Sequence, residues 1–195
     1  MRKRICCIIL AAGSSQRMGE EKVLVKLDED SLISWISKRL VKLGLEPLIV
    51  TKKEIFDLVK RDVYPNKVII NESPELGRTG SIKVGINYLD NLHQEKYRLI
   101  IVPVDRPGFS DETILTLASL HETSCPEKNN IGGHPIILST SDVHIVRKSP
   151  SSTSLRDLVV TKRFEVEDEN LHLNLDTKKD LEEFREIYSV LNEKN

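Results

Sequence analysis

Apolar and polar residues fall in blocks along this 195-residue chain, and the spacing within each block predicts an element. Ile5 to Leu10 is a continuous apolar run, rich in β-branched residues and bounded by glycine, the pattern of a strand buried on both faces. Ser31 then precedes Leu32, Ile33, Trp35, Ile36, Leu40, Val41 and Leu43 at helical spacing, with Gly44 as a stop. A second apolar strand follows at 47–51, a short helix at 54–61 with Ile55, Leu58 and Val59 on one face, and a third strand at 67–71. A polar loop with Pro74, Gly77 and Gly80 leads to a helix over 81–92. A fourth strand at 98–102 and a helix at 111–121 complete the regular part.

Strands alternating with helices imply an α/β fold: one three-layer, doubly wound domain over 1–195, with a mostly parallel sheet. Beyond residue 122 the alternation weakens. Shorter strands are expected at 135–139, 163–166 and 171–175, and an amphipathic helix at 176–191 carries Leu181, Phe184, Ile187 and Leu191 on one stripe. The segment Ser149-Pro-Ser-Ser-Thr-Ser154 is the candidate mobile loop. There is no internal repeat, heptad seam or low-complexity linker.

Composition narrows the function classes. Hydrophobic residues at 39% suffice for a core in a chain of this size without disulfides or a structural metal. Lys+Arg total 29 against 30 Asp+Glu, so no overall field draws the chain to nucleic acid or to a membrane surface. Cys6, Cys7 and Cys125 form no C-x-x-C pair, and an odd count argues for a reducing compartment, so a cytoplasmic protein is expected. Cys6 and Cys7 lie in the first apolar run, where free cysteine serves as a small hydrophobe. Met1-Arg-Lys-Arg before that run has the outline of an export signal, but the run is short and leads straight into a glycine-bearing loop. No apolar segment approaches the length of a membrane span.

That loop, Leu10-Ala-Ala-Gly-Ser-Ser-Gln-Arg-Met-Gly-Glu-Glu-Lys22, lies at the carboxyl end of the first strand, where open α/β sheets bind ligands. Ala11, Ala12 and Gly13 let a ligand approach the backbone, and Gly13 and Gly19 permit turns that aim N–H groups at an anion. Arg17 and Lys22 can add charge-assisted bonds to phosphate oxygens. A P-loop is excluded because Gly13 and Gly19 are misspaced and Lys22 does not follow Gly19; the G-x-G-x-x-G fingerprint is absent. On composition alone, the loop is either a phosphate cradle or a surface turn with two incidental cations. Asp105, past the fourth strand, is likewise either a turn or N-cap aspartate before the next helix or a cation ligand at the same sheet edge.

The wording L-A-A-G-x-S-x-R-M-G-x-x-K, carried by Leu10 to Lys22 without a gap, resembles the signature of the molybdenum cofactor nucleotidyltransferase family. Further landmarks follow in order: Asn71-Glu-Ser-Pro-Glu-Leu-Gly77 with Ser81, Val102-Pro-Val-Asp-Arg-Pro107, Gly133-His-Pro135 and Asn174-Leu-Asp-Thr-Lys-Lys-Asp-Leu181. The resemblance implies a Rossmann-like nucleotidyltransferase fold, with an NTP-binding half over 1–121 and an acceptor-binding, metal-completing half over 122–195. It assigns Leu10, Ala11, Ala12, Gly13, Ser14, Ser15 and Gly19 to the phosphates, and Asn71, Gly77 and Ser81 to base and ribose. Arg17, Lys22 and Asp105 become the catalytic set, with Mg²⁺ on Asp105 and Asn174. His134 lines the site without an acid or base role.

The implied reaction moves a nucleoside monophosphate from an NTP to the terminal phosphate of molybdopterin, with CTP favoured over GTP and pyrophosphate released. Cytidylyl relatives carry L-A-A-G where guanylyl enzymes commonly carry L-A-G-G, and Ala12 matches the former. Transient contact with a molybdoenzyme is the partner expected. Two departures bear on it. Asn174 stands where many relatives have a second metal-binding Asp, and the G-D-x-G-A-R-like acceptor motif is reduced to Ser154-Leu-Arg-Asp-Leu158. A guanylyltransferase, a transferase for another phosphorylated acceptor, and a non-catalytic nucleotide-binding accessory protein are the alternatives. Asp176 and Asp180 are expected to favour the N-terminus of the last helix through its dipole.

Overall fold

The computed structural model describes residues 4–13, 21–93 and 96–194. The apolar run Arg4–Ala11 forms β1, and a two-strand ribbon of β2 (Lys26–Leu27) and β3 (Asp30–Ser31) follows. Then come α1 (Leu32–Lys42), β4 (Pro47–Thr51), α2 (Phe56–Asp62), β5 (Val68–Ile70), α3 (Gly77–His93), β6 (Tyr97–Pro103) and α4 (Asp111–Ser119). The remainder is β7 (Ser124–Lys128), β8 (Ile131–Gly132), β9 (Ile136–Leu138), α5 (Thr140–Lys148), α6 (Leu155–Leu158), β10 (Lys162–Glu165) and α7 (Lys178–Lys194).

The main sheet runs β10-β7-β9-β6-β1-β4-β5, with β8 on the side of β7. β6, β1, β4 and β5 are mutually parallel, whereas β9 is antiparallel to β6. The expected mostly parallel α/β sheet is therefore present. Alternate side chains of β1 feed two cores, as its unbroken apolar run requires. Cys7, Ile9 and Ala11 pack with Ile36 and Leu40 of α1, Ile114 of α4 and Phe184 of α7, while Cys6, Ile8 and Leu10 pack with Ile82 and Ile86 of α3 and Val143 of α5. Burial pushes the Cys6 thiol up to about 12 and Cys7 higher still, so both are inert hydrophobes. A Cβ on Gly85 would lie 2.3 Å from Ile8 Cδ1, so glycine there lets α3 close onto the sheet.

The loop after β6 is fastened from beneath by Arg39, a buried cation on α1. Its Nη2 donates to Phe109 O at 2.9 Å and to Asp111 Oδ1 at 3.1 Å, and the guanidinium lies between the Trp35 and Phe109 rings. Asp168 holds the same turn from above, accepting from Ser110 N at 2.9 Å and Thr113 Oγ1 at 2.7 Å.

Four local expectations are corrected. Residues 171–175 are coil: Leu171 and Leu175 are buried against the end of the sheet, so their alternation reflects packing without ladder pairing. β7 went unpredicted because Pro126 interrupts it, a residue with no N–H to give a ladder. α5 buries only Val143 and Val146 in nine residues, too sparse a stripe to signal a helix. α3 begins at Gly77, four residues before the predicted start, because Gly77 and Gly80 suggest a loop. In the candidate mobile segment, Ser149 is buried and donates to Val146 O, and Ser154 caps α6. No helix among the described residues is long and apolar enough to cross a membrane.

Candidate active site

The carboxyl ends of β1 and β6 open on a cavity of about 290 Å³. Ala12 and Gly13 form one wall, and a Cβ built on Gly13 would meet no described atom within 4 Å. Across the cavity, Val104 N donates to Leu10 O at 3.1 Å, which brings Asp105 level with the end of β1. Asp105 O in turn accepts from Leu175 N at 2.9 Å, so the coil before α7 is tied across the end of the sheet. Its neighbours Asn174 and Asp176 are thereby carried to Asp105.

The electrostatics follow from that tie. Lys22 is buried, with Nζ 2.9 Å from Asp176 Oδ1 and 3.9 Å from Asp105 Oδ2. Asn174 Nδ2 donates to Asp176 Oδ2, while Asn174 Oδ1 is buried with no hydrogen-bond partner among the described residues. Among the described residues of this cluster, two carboxylates face one ammonium beside a carbonyl oxygen without a described partner. Such a set suits a hard cation that brings oxygen ligands of its own. No group of three or more His, Cys, Asp or Glu that could hold a metal occurs among the described residues.

Other predicted residues fall into place as follows. Ser14, Ser15, Arg17 and Gly19 lie outside the described residues. Leu10, Ala12, Gly13, Lys22, Gly77, Ser81 and Asp105 line the cavity, and Ala11 is buried behind it as the last residue of β1. Gly77 has φ of +81°, an angle that favours glycine, and it turns the loop into α3 at the cavity wall. Asn71 does not line either cavity; it is buried, donating to Ser81 Oγ at 3.0 Å and accepting from Ser73 N at 2.9 Å, and so braces the loop. Asp180 accepts from the N–H groups of Asp176 and Thr177 and caps α7. Asp176, expected in the same role, is turned into the site instead.

A second, larger cavity of about 720 Å³ adjoins the first and contains His134, Arg78, Arg156 and Arg163 on its walls, with no Asp or Glu. Leu10, Gly77, Arg78 and Pro103 line both. Burial, then the charges of Arg78, Arg106 and Arg156, push His134 down to about 4 from its ordinary 6.5. The imidazole is therefore neutral near pH 7, and its Nδ1 is buried without a partner among the described residues. Because the folded-state value lies below the unfolded one, the unfolded chain alone holds this proton between about pH 6.5 and 4. Stability should fall as the pH drops through that window. Urea midpoints at pH 7 and pH 5 should show a smaller acid loss in His134→Asn than in the wild type.

Sequence pattern alone did not single out Asp176 or Arg78. The signal for Asp176 was its position two residues from Asn174; for Arg78 it was a cation beside Gly77, in the loop that the resemblance assigns to base and ribose.

Residues 7–166 match the family model of the MobA-like NTP transferase domain. The chain belongs to that family. It is similar to the molybdenum cofactor cytidylyltransferase of Escherichia coli (strain K12), 26% identical over 194 residues, covering 96% of this chain and 98% of that one. It is also similar to a probable molybdenum cofactor guanylyltransferase of Bacillus mycoides (strain KBAB4), 32% identical over 118 residues, 60% of this chain and 56% of that one. Among solved structures, Rv0371c from Mycobacterium tuberculosis H37Rv shares the fold with a TM-score of 0.79 at 19% identity, over 95% of this chain and 99% of that one. A manganese complex of Rv0371c gives 0.74 at 17% identity, over 94% and 98%. As a MobA-like NTP transferase, the chain is a nucleotidyltransferase enzyme, and the segment from Leu10 to Lys22 lies wholly within the matched span.

Proposed function

We propose that the chain transfers CMP from CTP to the terminal phosphate of molybdopterin, or of its molybdenum-loaded form, releasing pyrophosphate. The observation that carries this reading is the adjoining pair of cavities. One has small-residue walls and the Lys22–Asp105–Asp176 cluster; the other is cationic and free of carboxylates on its walls. The first suits a metal-bound triphosphate and the second an anionic acceptor. This assigns 1–121 mainly to the donor and 122–195 mainly to the acceptor, with the coil before α7 completing the metal end.

An acceptor phosphate oxygen attacks the α-phosphorus, the bond to the β-phosphate oxygen breaks, and pyrophosphate leaves. The acceptor already supplies the nucleophilic oxygen, so the protein aligns the groups and offsets their charge. Asp105, Asp176 and the Asn174 carbonyl oxygen would hold Mg²⁺, with phosphate and water oxygens as its remaining ligands. Bound there, Mg²⁺ would neutralise charge building on the phosphates. Lys22 balances the carboxylates and donates to the departing pyrophosphate. Arg17 is assigned to the same group by the loop motif. His134, neutral at working pH, lines the acceptor cavity without moving a proton.

Ala12 faces the donor cavity, and its methyl group favours a pyrimidine over the larger purine. Ala12→Gly is expected to raise the GTP-to-CTP ratio of kcat/KM by about tenfold, the scale of discrimination a single methyl group supplies. An unchanged ratio would remove Ala12 from base selection. The whole reading is tested by following pyrophosphate with Mg²⁺, each NTP, molybdopterin and a panel of sugar and alcohol phosphates. Turnover with another acceptor and none with molybdopterin would sink it.

A further inference from the structure

We propose that Arg78 grips the acceptor's reacting phosphate at the opening shared by the two cavities, a role that rests on the transfer reading above. Of the residues that line both cavities, Leu10, Gly77, Arg78 and Pro103, only Arg78 carries charge. Its side chain is exposed and makes no hydrogen bond or ion pair with a described residue. By contrast, Arg163 is paired with Glu127 at 2.9 Å and Arg106 donates to His172 O. Arg78 is thus an unspent guanidinium at the place where the two substrates must meet.

The chemistry demands a cation there. In-line transfer brings an anionic acceptor oxygen toward an α-phosphate that is itself negative, and like charges at contact distance repel strongly in a partly enclosed site. Lys22, Asp105 and Asp176 line the donor cavity, and none of them lines the larger one. They serve the leaving-group end. Arg78 lines both cavities, and its charge reaches into the acceptor cavity: among the charged groups acting on His134 it is the strongest. A planar fork suits two oxygens of one phosphate, holding them while the third faces the α-phosphorus. Arg78 also stands in the first turn of the 17-residue helix α3, whose electropositive amino end attracts the same anion that the guanidinium would bind.

The test compares wild type, Arg78→Met and Arg78→Lys in three measurements: equilibrium binding of molybdopterin, equilibrium binding of Mg²⁺–CTP, and steady-state pyrophosphate release. Arg78→Met should weaken molybdopterin binding and raise its KM by about 10- to 100-fold, the loss expected for a charge-assisted pair of bonds. Its melting temperature should stay within error, because the side chain is exposed and makes no hydrogen bond or ion pair with a described residue, and its CTP affinity should fall less than its molybdopterin affinity. Arg78→Lys should recover part of the loss, having charge without the fork. Unchanged molybdopterin binding in Arg78→Met would overturn the assignment, as would a loss confined to CTP. If the wild type binds molybdopterin but releases no pyrophosphate, the transfer reading fails while the binding comparison still judges Arg78. If it does not bind molybdopterin at all, both fall.

Discussion

Asp105→Asn is expected to lower metal-dependent turnover by about 10³-fold while the protein stays folded. The side chain is nearly isosteric, and what the structure uses for folding at this position is the carbonyl oxygen that accepts from Leu175 N. Losing the carboxylate does not strand a charge, since Lys22 keeps its 2.9 Å contact with Asp176. Asp176→Asn should behave similarly, with Lys22 left to Asp105. The double variant is different. It leaves a buried ammonium without either carboxylate, so it should lose stability that neither single variant loses. Pyrophosphate release with Mg²⁺ and urea unfolding of all three variants read the two effects separately. Turnover in Asp105→Asn within tenfold of wild type would remove Asp105 from the metal site.

Gly108→Ala is expected to damage activity from outside the site. A Cβ on Gly108 would lie 1.8 Å from Asn170 O and 2.6 Å from Asn170 C, and both are backbone atoms that cannot rotate aside. The coil carrying Asn174 and Asp176 must therefore lift from the sheet end, at a cost of about 1–3 kcal/mol in stability. Turnover should fall at least as steeply, because a shift of about 1 Å in a positioning group costs about 10²-fold. Gly133 makes a gentler control. The three atoms nearest to a Cβ there all belong to the Leu171 side chain, at 2.6–3.0 Å, and a side chain can turn where a backbone cannot. Equal activity of Gly108→Ala and wild type, measured with the same metal and substrates, would show that the coil does not set the geometry.

The contrast between legible and hidden features follows from how far each depends on distant parts of the chain. β1 was readable because a strand buried on both faces writes itself as a solid apolar run, and its loop because the walls need small residues. Asp105 was readable as a candidate from its place after β6. Asp176 was not, because an aspartate just before a helix ordinarily caps it, and the Leu175–Asp105 bond together with the Lys22 contact turns this one inward. The coil at 171–175 reads as a strand for a related reason: its alternate leucines pack on the sheet end, and nothing local distinguishes that from ladder pairing. Arg78 carried no signal as a junction residue until the two cavities were seen to share it. The larger cavity itself is walled by segments from β1 to β10 that no local pattern connects.

The tie between Asp105 and Leu175 also orders events during synthesis. β10 ends at Glu165, so every strand of the sheet precedes the coil that delivers Asn174 and Asp176. A chain emerging from the ribosome can assemble β1, its loop and Asp105 while the second carboxylate is still unmade. On the proposed reading, such a chain would have its cradle for phosphate but lack the full oxygen set for the metal, so a nucleotide bound early would stay intact. Competence to cleave would then arrive only when the coil after β10 has crossed the sheet end and docked over Gly108.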